Sequence, residues 1–405
     1  MRLIGFGGAA TSLFALAVLS QSAFALDGKD FGEKFAAMFA ANGMAITYAT
    51  SVAEGDSVTM SGVTFSADGM DDADDAAPKN PTTLQFTGVN ENSKGGYEVK
   101  RATADDIEAA DEEMTLSIRN IVVEDMVVPA EPFADALDSL LAYKHFSLGP
   151  IVATAEGEEV FSLDSVVVNN LPNSDMSAFT SDYKISGIHA DLTKIDEQEA
   201  QMMLMLFDLQ TVDAEMQGKM DWSLDDGHLT VQESSVTVDK VGRFDFTGEV
   251  WGYDLELVSD MLAIQKDMVS REDMTMEEEE ALGLSMFDAM VAKMSLGRLA
   301  IRFDDDGITG KVLDFVAQQQ GASRDVLVAG LSAALPAMAA QAGLPEATQT
   351  MLLKAVSTYL GDPKSLEITS TPANPVPFKD VVEAVGTEDP ANLVNLLELK
   401  VTANQ

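Results

Sequence analysis

Apolar and polar residues alternate along most of the chain between about residues 45 and 250, which is the pattern of strands with one apolar and one polar face. Four alternating segments share a small or polar residue near the middle: residues 58–65, 116–123, 161–168 and 183–190. Such a break predicts a bulge or kink that bends the strand. The pattern predicts a long, bent antiparallel sheet with one apolar face.

Tight turns and later strands extend this sheet. Asp226-Gly227 predicts a hairpin within residues 222–231, and Asp306-Gly307 predicts a second hairpin within residues 299–312. Further strands are predicted at residues 365–369 and 397–402.

Apolar residues at helical spacing predict the helices: residues 31–39, 132–143, 195–209, 275–294, 323–343 and 345–360. Thr275 and Glu278 form a capping box at the start of the fourth. Residues 195–209 are apolar on all sides, which predicts that this helix is not at the surface. The prediction is an α+β fold, in which amphipathic helices pack on an extended, bent antiparallel sheet and the C-terminal part is rich in helices.

The predicted organisation has three parts. Arg2, an apolar run over residues 3–19 and the sequence Ala23-Phe24-Ala25 predict a cleavable signal peptide of residues 1–25. A strand-rich part of residues 26–250 and a helix-rich part of residues 251–405 with closing strands follow, and one continuous fold is the alternative. The protein is expected in the periplasm, with secretion as the alternative.

Composition and motifs argue against most chemistries. The net charge of −42 disfavours direct binding of nucleic acid or of an anionic membrane. The absence of cysteine excludes disulfides and an acylated lipoprotein cysteine. The three histidines are not at metal-ligand spacing, and the acidic runs 71–75 and 304–306 lack EF-hand spacing. We therefore predict no catalytic residue, no metal and no cofactor.

The methionines are the remaining unusual feature, since the chain has 22 of them. Two predicted helices carry groups of apolar residues that could line an adaptable hydrophobic groove: Met202, Met205 and Phe207 in one, and Met286, Met290 and Met294 in the other. Dry core packing is the alternative interpretation of these six residues.

The leader, the strands with central breaks, the segment 299–312 and the closing stretch LEITSTPANPVPF at 366–378 resemble uncharacterised α-proteobacterial envelope proteins, which are similar to the YdgA-like and AsmA-like groups. The similarity lies mostly within residues 290–405. It implies a long β-sheet groove in the periplasm and, for some members, a role in outer-membrane lipid homeostasis. No catalytic residue is defined for these groups. The chain differs from typical AsmA-like proteins because it lacks a convincing permanent membrane anchor.

These observations predict a non-enzymatic periplasmic envelope protein that binds a lipid or another hydrophobic ligand in a β-sheet groove, with a lipid or another envelope protein as its partner. Two alternatives are a secreted hydrolase that acts through a pair of carboxylates and an acidic protein-interaction module.

Overall fold

The computed structural model describes the chain in several stretches: residues 26–41, 44–67, 81–110, 114–133, 137, 142–195, 197–271, 275–341, 343–387 and 390–405. Three predictions lie wholly or mostly outside them, namely the signal peptide, the acidic run at 71–75 and the helix at 132–143.

Twenty strands form one open antiparallel sheet in this part of the chain, as the alternation of apolar residues predicts. They are β1 (Met44–Thr47), β2 (Thr50–Glu54), β3 (Ser57–Ala67), β4 (Thr82–Glu91), β5 (Tyr97–Ala104), β6 (Ile107–Ala110), β7 (Met114–Ile118), β8 (Val122–Val128), β9 (His145–Leu148), β10 (Ile151–Ala155), β11 (Glu158–Leu163), β12 (Ser165–Pro172), β13 (Ala178–Asp191), β14 (Thr211–Ser223), β15 (His228–Val238), β16 (Gly242–Trp251), β17 (Ser295–Asp305), β18 (Ser365–Ser370), β19 (Val376–Pro377) and β20 (Leu399–Ala403).

The strands follow one another as a meander. β1 and β2 pair with β3, and the sheet then runs through β4, β5, β8, β9, β12, β13, β14, β15, β16, β17 and β18 to β20. A second row, β6–β7–β10–β11, joins the far end of β13. The pairing of β16 with β17 carries the sheet from the strand-rich part into the helix-rich part.

The bend of the sheet comes from breaks that lie beside one another on neighbouring strands. Asn120 separates β7 from β8, and its side-chain amide donates a 2.8 Å hydrogen bond to the carbonyl of Gly149, between β9 and β10. Asp164 separates β11 from β12, and its backbone N–H donates to Ser186, next to Gly187 in β13. Gly187 has φ +65°, where the β13–β14 register shifts. Positive φ is readily adopted by glycine, and less readily by asparagine, so these residue types fit the breaks.

Of the four segments with a predicted break, two remain one strand through it. Residues 58–65 lie in β3, with a register shift at Gly62, and residues 183–190 lie in β13. The other two segments are each divided into two strands, at Asn120 and at Asp164.

The described residues also contain nine α-helices and a short 3₁₀ turn at Leu192–Lys194. The α-helices are α1 (Gly28–Ala40), α2 (Gln198–Phe207), α3 (Leu255–Ser270), α4 (Met276–Lys293), α5 (Ile308–Gln319), α6 (Arg324–Gln341), α7 (Glu346–Gly361), α8 (Phe378–Gly386) and α9 (Pro390–Leu396). The predicted capping box is confirmed, because Thr275 Oγ1 accepts from Glu278 N and the Glu278 carboxylate accepts from Thr275 N. The predicted hairpin at 299–312 is wrong, since β17 leads directly into α5.

Three hydrophobic clusters support these elements. The largest lies where α1 covers β1 to β5 and β8, and in it Phe31 of α1 contacts the rings of Phe86 and Tyr97 at centroid distances of 4.8 and 5.3 Å. A second cluster joins α3 to Phe179 and Trp222 of the sheet. A third lies among α5, α6 and α7.

Candidate hydrophobic site

The first methionine group lies on α2, and the expectation that this helix is not at the surface is wrong. Met202 and Met205 are 64% and 66% exposed. Phe207 points the other way and is half-buried, with its ring 5.9 Å from that of Phe315 on α5. α2 thus packs against α5 through Phe207 and leaves its methionines outside.

The second group lies on α4, which packs against α3 and α8. Met286 and Met290 are half-buried, and Met294, immediately after the helix, is buried. The two groups therefore lie on helices that pack against different neighbours, α2 against α5 and α4 against α3 and α8. That these six residues line a ligand site stays a prediction.

A larger apolar surface lies on the sheet itself. In β9 and β12 to β18, with β20, apolar side chains that pair across neighbouring strands share one face, which we call the apolar face. Its members are Phe146, Leu148, Val166, Val168, Tyr183, Ile185, Met216, Val236, Phe244, Phe246, Ile301, Phe303, Leu366, Ile368, Val401 and Ala403.

The apolar face is long and accessible. It crosses nine strands, which corresponds to roughly 40 Å at a spacing of about 4.8 Å between strands. All of its members are half-buried or exposed, and Phe244 and Ile368 are the most accessible at 46% and 39%. Gly218 and Ser234 interrupt one of its rows, and the Tyr183 hydroxyl lies 3.2 Å from Ser234 Oγ above that gap.

The same side of the sheet is covered elsewhere. Phe179 lies on β13 on the same face as Tyr183, and its ring packs 5.2 Å from that of Trp222, under α3. The Trp222 indole N–H donates a 2.7 Å hydrogen bond to the Tyr253 carbonyl, which fixes this cover. Towards the N-terminus the face continues through Val123, opposite Phe146, into the core under α1. The apolar face therefore adjoins two regions of the same side of the sheet that helices cover.

The opposite face is polar and carries ion pairs. Arg243 bridges Asp245 at 2.8 Å and Glu233 at 3.0 Å, and these carboxylates raise the pKa of Arg243. Arg302 lies 2.6 Å from Asp304 and lowers the pKa of that carboxyl through its hydrogen bonds. Water can solvate this side, so the two faces of the same strands differ sharply in polarity.

The acidic turn 304–306 has a structural role. Asp305 accepts hydrogen bonds from Gly307 N at 2.7 Å and from Thr309 N at 3.0 Å, which places a carboxylate at the positive end of α5. Among the residues that the structure describes, no three His, Asp or Glu side chains form a group that could hold a metal ion.

The three histidines each contact a different residue. His145 Nδ1 lies 2.8 Å from Asn169, His189 Nδ1 lies 2.7 Å from Asp213, and the His228 ring stacks on Trp251 at 3.7 Å. The pKa of His189 is raised because the Asp213 carboxylate accepts this hydrogen bond from the imidazole. Each imidazole thus contacts a different neighbour on the sheet, and the three histidines do not contact one another.

Within the described ranges, no helix is both long and apolar enough to cross a membrane. A family described as "Uncharacterized protein" matches residues 235–404 of the chain. The matched part begins within β15 and includes the C-terminal half of the apolar face. No curated protein matches the chain.

Proposed function

We propose that this chain is a non-enzymatic periplasmic envelope protein that binds a lipid, or another ligand with an extended apolar part, along the apolar face. The observation that carries the proposal is the accessibility of this face, because its sixteen paired apolar side chains all remain half-buried or exposed. Contiguous accessible apolar surface on this scale is typical of binding sites.

The energetics favour an acyl chain as the ligand. Each buried methylene contributes about 0.8 kcal/mol, so a chain that buries ten of them gains about 8 kcal/mol. Before the entropy cost of association, that corresponds to a dissociation constant of about 1 μM. The rows of the apolar face run across the strands, and an extended chain laid along a row would contact successive strands.

The charge of the chain and its expected compartment restrict the class of lipid that would bind. The net charge of −42 repels anionic groups, which favours lipids without net negative charge. The leader predicted at residues 1–25 supports export, which would bring the chain to the periplasm, where envelope lipids are the available ligands of this kind.

The test is native mass spectrometry, with solvent extraction, of the chain exported with its own leader and purified from periplasm without detergent. We expect a stoichiometric lipid on the wild type and its loss from a variant with Phe244→Glu and Ile368→Glu, since both charges would lie on the apolar face. The matched control carries Val326→Glu and Val385→Glu, which place the same charges on exposed positions of α6 and α8. A wild type that carries no lipid and binds no uncharged fluorescent acyl-chain probe would contradict the proposal.

A further inference from the structure

The exposed side of α2 has no role in the fold that explains its composition. Met202, Met203, Met205 and Leu206 are all exposed large apolar side chains. At 100° per residue they cover an arc of roughly 160° around the helix axis. A surface helix normally presents polar residues on such an arc, so this side of α2 is built for an apolar environment.

The helix is held firmly in this orientation. Its inner side packs through Phe207, and the Lys311 ammonium donates a 2.7 Å hydrogen bond to the Phe207 carbonyl at its C-terminal end. At its other end, Gln201 Nε2 donates to the carbonyls of Ile195, at 2.6 Å, and of Thr193, at 3.2 Å. The methionines are therefore presented outward by fixed contacts on the inner side.

The size of the patch argues against a second copy of the chain as its partner. A helix of ten residues is about 15 Å long and about 10 Å wide, so half of its lateral surface is roughly 240 Å². A stable protein interface buries about 800 Å² on each partner. A bilayer has no such minimum, because each apolar side chain that enters it contributes separately.

Charge selects the kind of bilayer. Residues 195–210 contain four acidic residues, Asp196, Glu197, Glu199 and Asp208, and no basic one. Asp208 pairs with Lys240 at 3.2 Å, which leaves the segment with a negative balance. Anionic headgroups would be repelled by this segment and by the chain as a whole.

We infer that the exposed side of α2 docks on the surface of a zwitterionic lipid bilayer. This rests on the proposed function, because contact with a bilayer is how an acyl-chain-binding protein would collect its ligand. α2 connects β13 to β14, two strands of the apolar face, so docking brings the sheet next to the lipid source.

The test is flotation of the full chain with phosphatidylcholine vesicles. We expect the wild type to float, and a variant with Met202→Glu and Met205→Glu to lose at least about tenfold in bound fraction, because two charges enter the buried arc. The control carries Met276→Glu and Met338→Glu at exposed positions of α4 and α6, and should float like the wild type. Added phosphatidylglycerol should weaken binding at low salt.

Four results would overturn the inference: a wild type that does not float, an α2 variant that floats equally well, stronger binding to phosphatidylglycerol, or a dimer that the α2 substitutions disperse. A soluble, uncharged fluorescent acyl-chain probe, measured without vesicles, separates this inference from the proposed function. The α2 variant should bind the probe normally. If the wild type floated with vesicles but did not bind the probe, ligand binding would be refuted and the docking surface would not.

Discussion

Replacement of Gly187 by alanine should destabilise the fold, because this glycine forms the break in β13. Its φ of +65° lies in the left-handed region. A Cβ at this position would overlap the Asp164 carboxylate and lie 2.9 Å from Asp164 Cβ. Asp164 itself forms the neighbouring break between β11 and β12, so the substitution acts on two adjacent bends at once.

The expected loss has two parts. A residue with a Cβ in the left-handed conformation costs about 1–2 kcal/mol relative to glycine. Crowding of a packed contact costs about 1–3 kcal/mol more. The sum, about 2–5 kcal/mol, is a large share of the roughly 5–15 kcal/mol by which a typical domain is stable.

The assay is urea unfolding followed by circular dichroism. Gly283→Ala is the matched control, since Gly283 lies within α4 and a Cβ there meets nothing within 4 Å. It should stabilise the chain by about 0.5–1 kcal/mol, as alanine is the better helix former. Combining Gly187→Ala with Asp164→Ala should recover part of the loss, because the carboxylate no longer overlaps the new Cβ.

Two results would refute this reasoning. If Gly187→Ala and Gly283→Ala changed the free energy of unfolding alike, the break would not require a positive φ. If Gly187→Ala cost the same free energy of unfolding in the wild type and in the Asp164→Ala variant, the contact between the new Cβ and Asp164 would contribute nothing to the loss.

Two further predictions concern the N-terminal end of the sheet. Phe31→Ala should cost about 3–5 kcal/mol of unfolding free energy in the same assay, because this fully buried ring packs against Phe86 and Tyr97, and a loss below about 1 kcal/mol would contradict that packing. The pKa of Asp30 is lowered from 3.8 by hydrogen bonds from Lys34 and Tyr97, so its carboxylate contributes stability that is fully present above about pH 5 and is lost as the pH falls through the lower, folded-state pKa. Asp30→Asn should therefore lower the melting temperature at pH 7 but not at a pH below the folded-state pKa of Asp30, where the wild-type carboxyl is protonated. An equal effect at both pH values would show that the charge of Asp30 does not contribute to stability.

Local pattern was sufficient to predict the α+β class and the bends. Gly62 and Gly187 interrupt alternating strands, and both have positive φ at a register shift. The capping box of Thr275 and Glu278 was equally predictable, because its two partners are three residues apart and need no tertiary contact.

The local sequence pattern gave wrong predictions where the same residue types suit two different structures. The turn at 304–307 was predicted to close a hairpin, yet the Asp305 carboxylate instead accepts hydrogen bonds from the backbone N–H groups of Gly307 and Thr309 at the start of α5. Short acidic turns followed by glycine suit both arrangements. The apolar composition of α2 led to the prediction that this helix is buried. That prediction was wrong because it assumed that the protein covers all of its own apolar side chains.

The accessible stretch of the apolar face could not be predicted from the sequence residue by residue. Phe244, Ile301 and Ile368 each belong to a strand that alternates as any half-buried strand does. What distinguishes them is that β16, β17 and β18 pair across long chain separations, and that α1 and α3 cover other parts of the same face. Both facts depend on tertiary pairing, which spacing does not encode.

An accessible apolar face is also a hazard, because it can bind a second copy of the chain as readily as a ligand. At β20, the Val401 backbone N–H donates to Met351 Sδ of α7 at 3.3 Å, which protects this strand from pairing with another chain. The net charge of −42 repels a second copy over longer distances. Repulsion of this kind does not act on an uncharged acyl chain. Under the proposed function, the acidity of the chain would therefore keep copies apart while leaving the apolar face open to a neutral ligand.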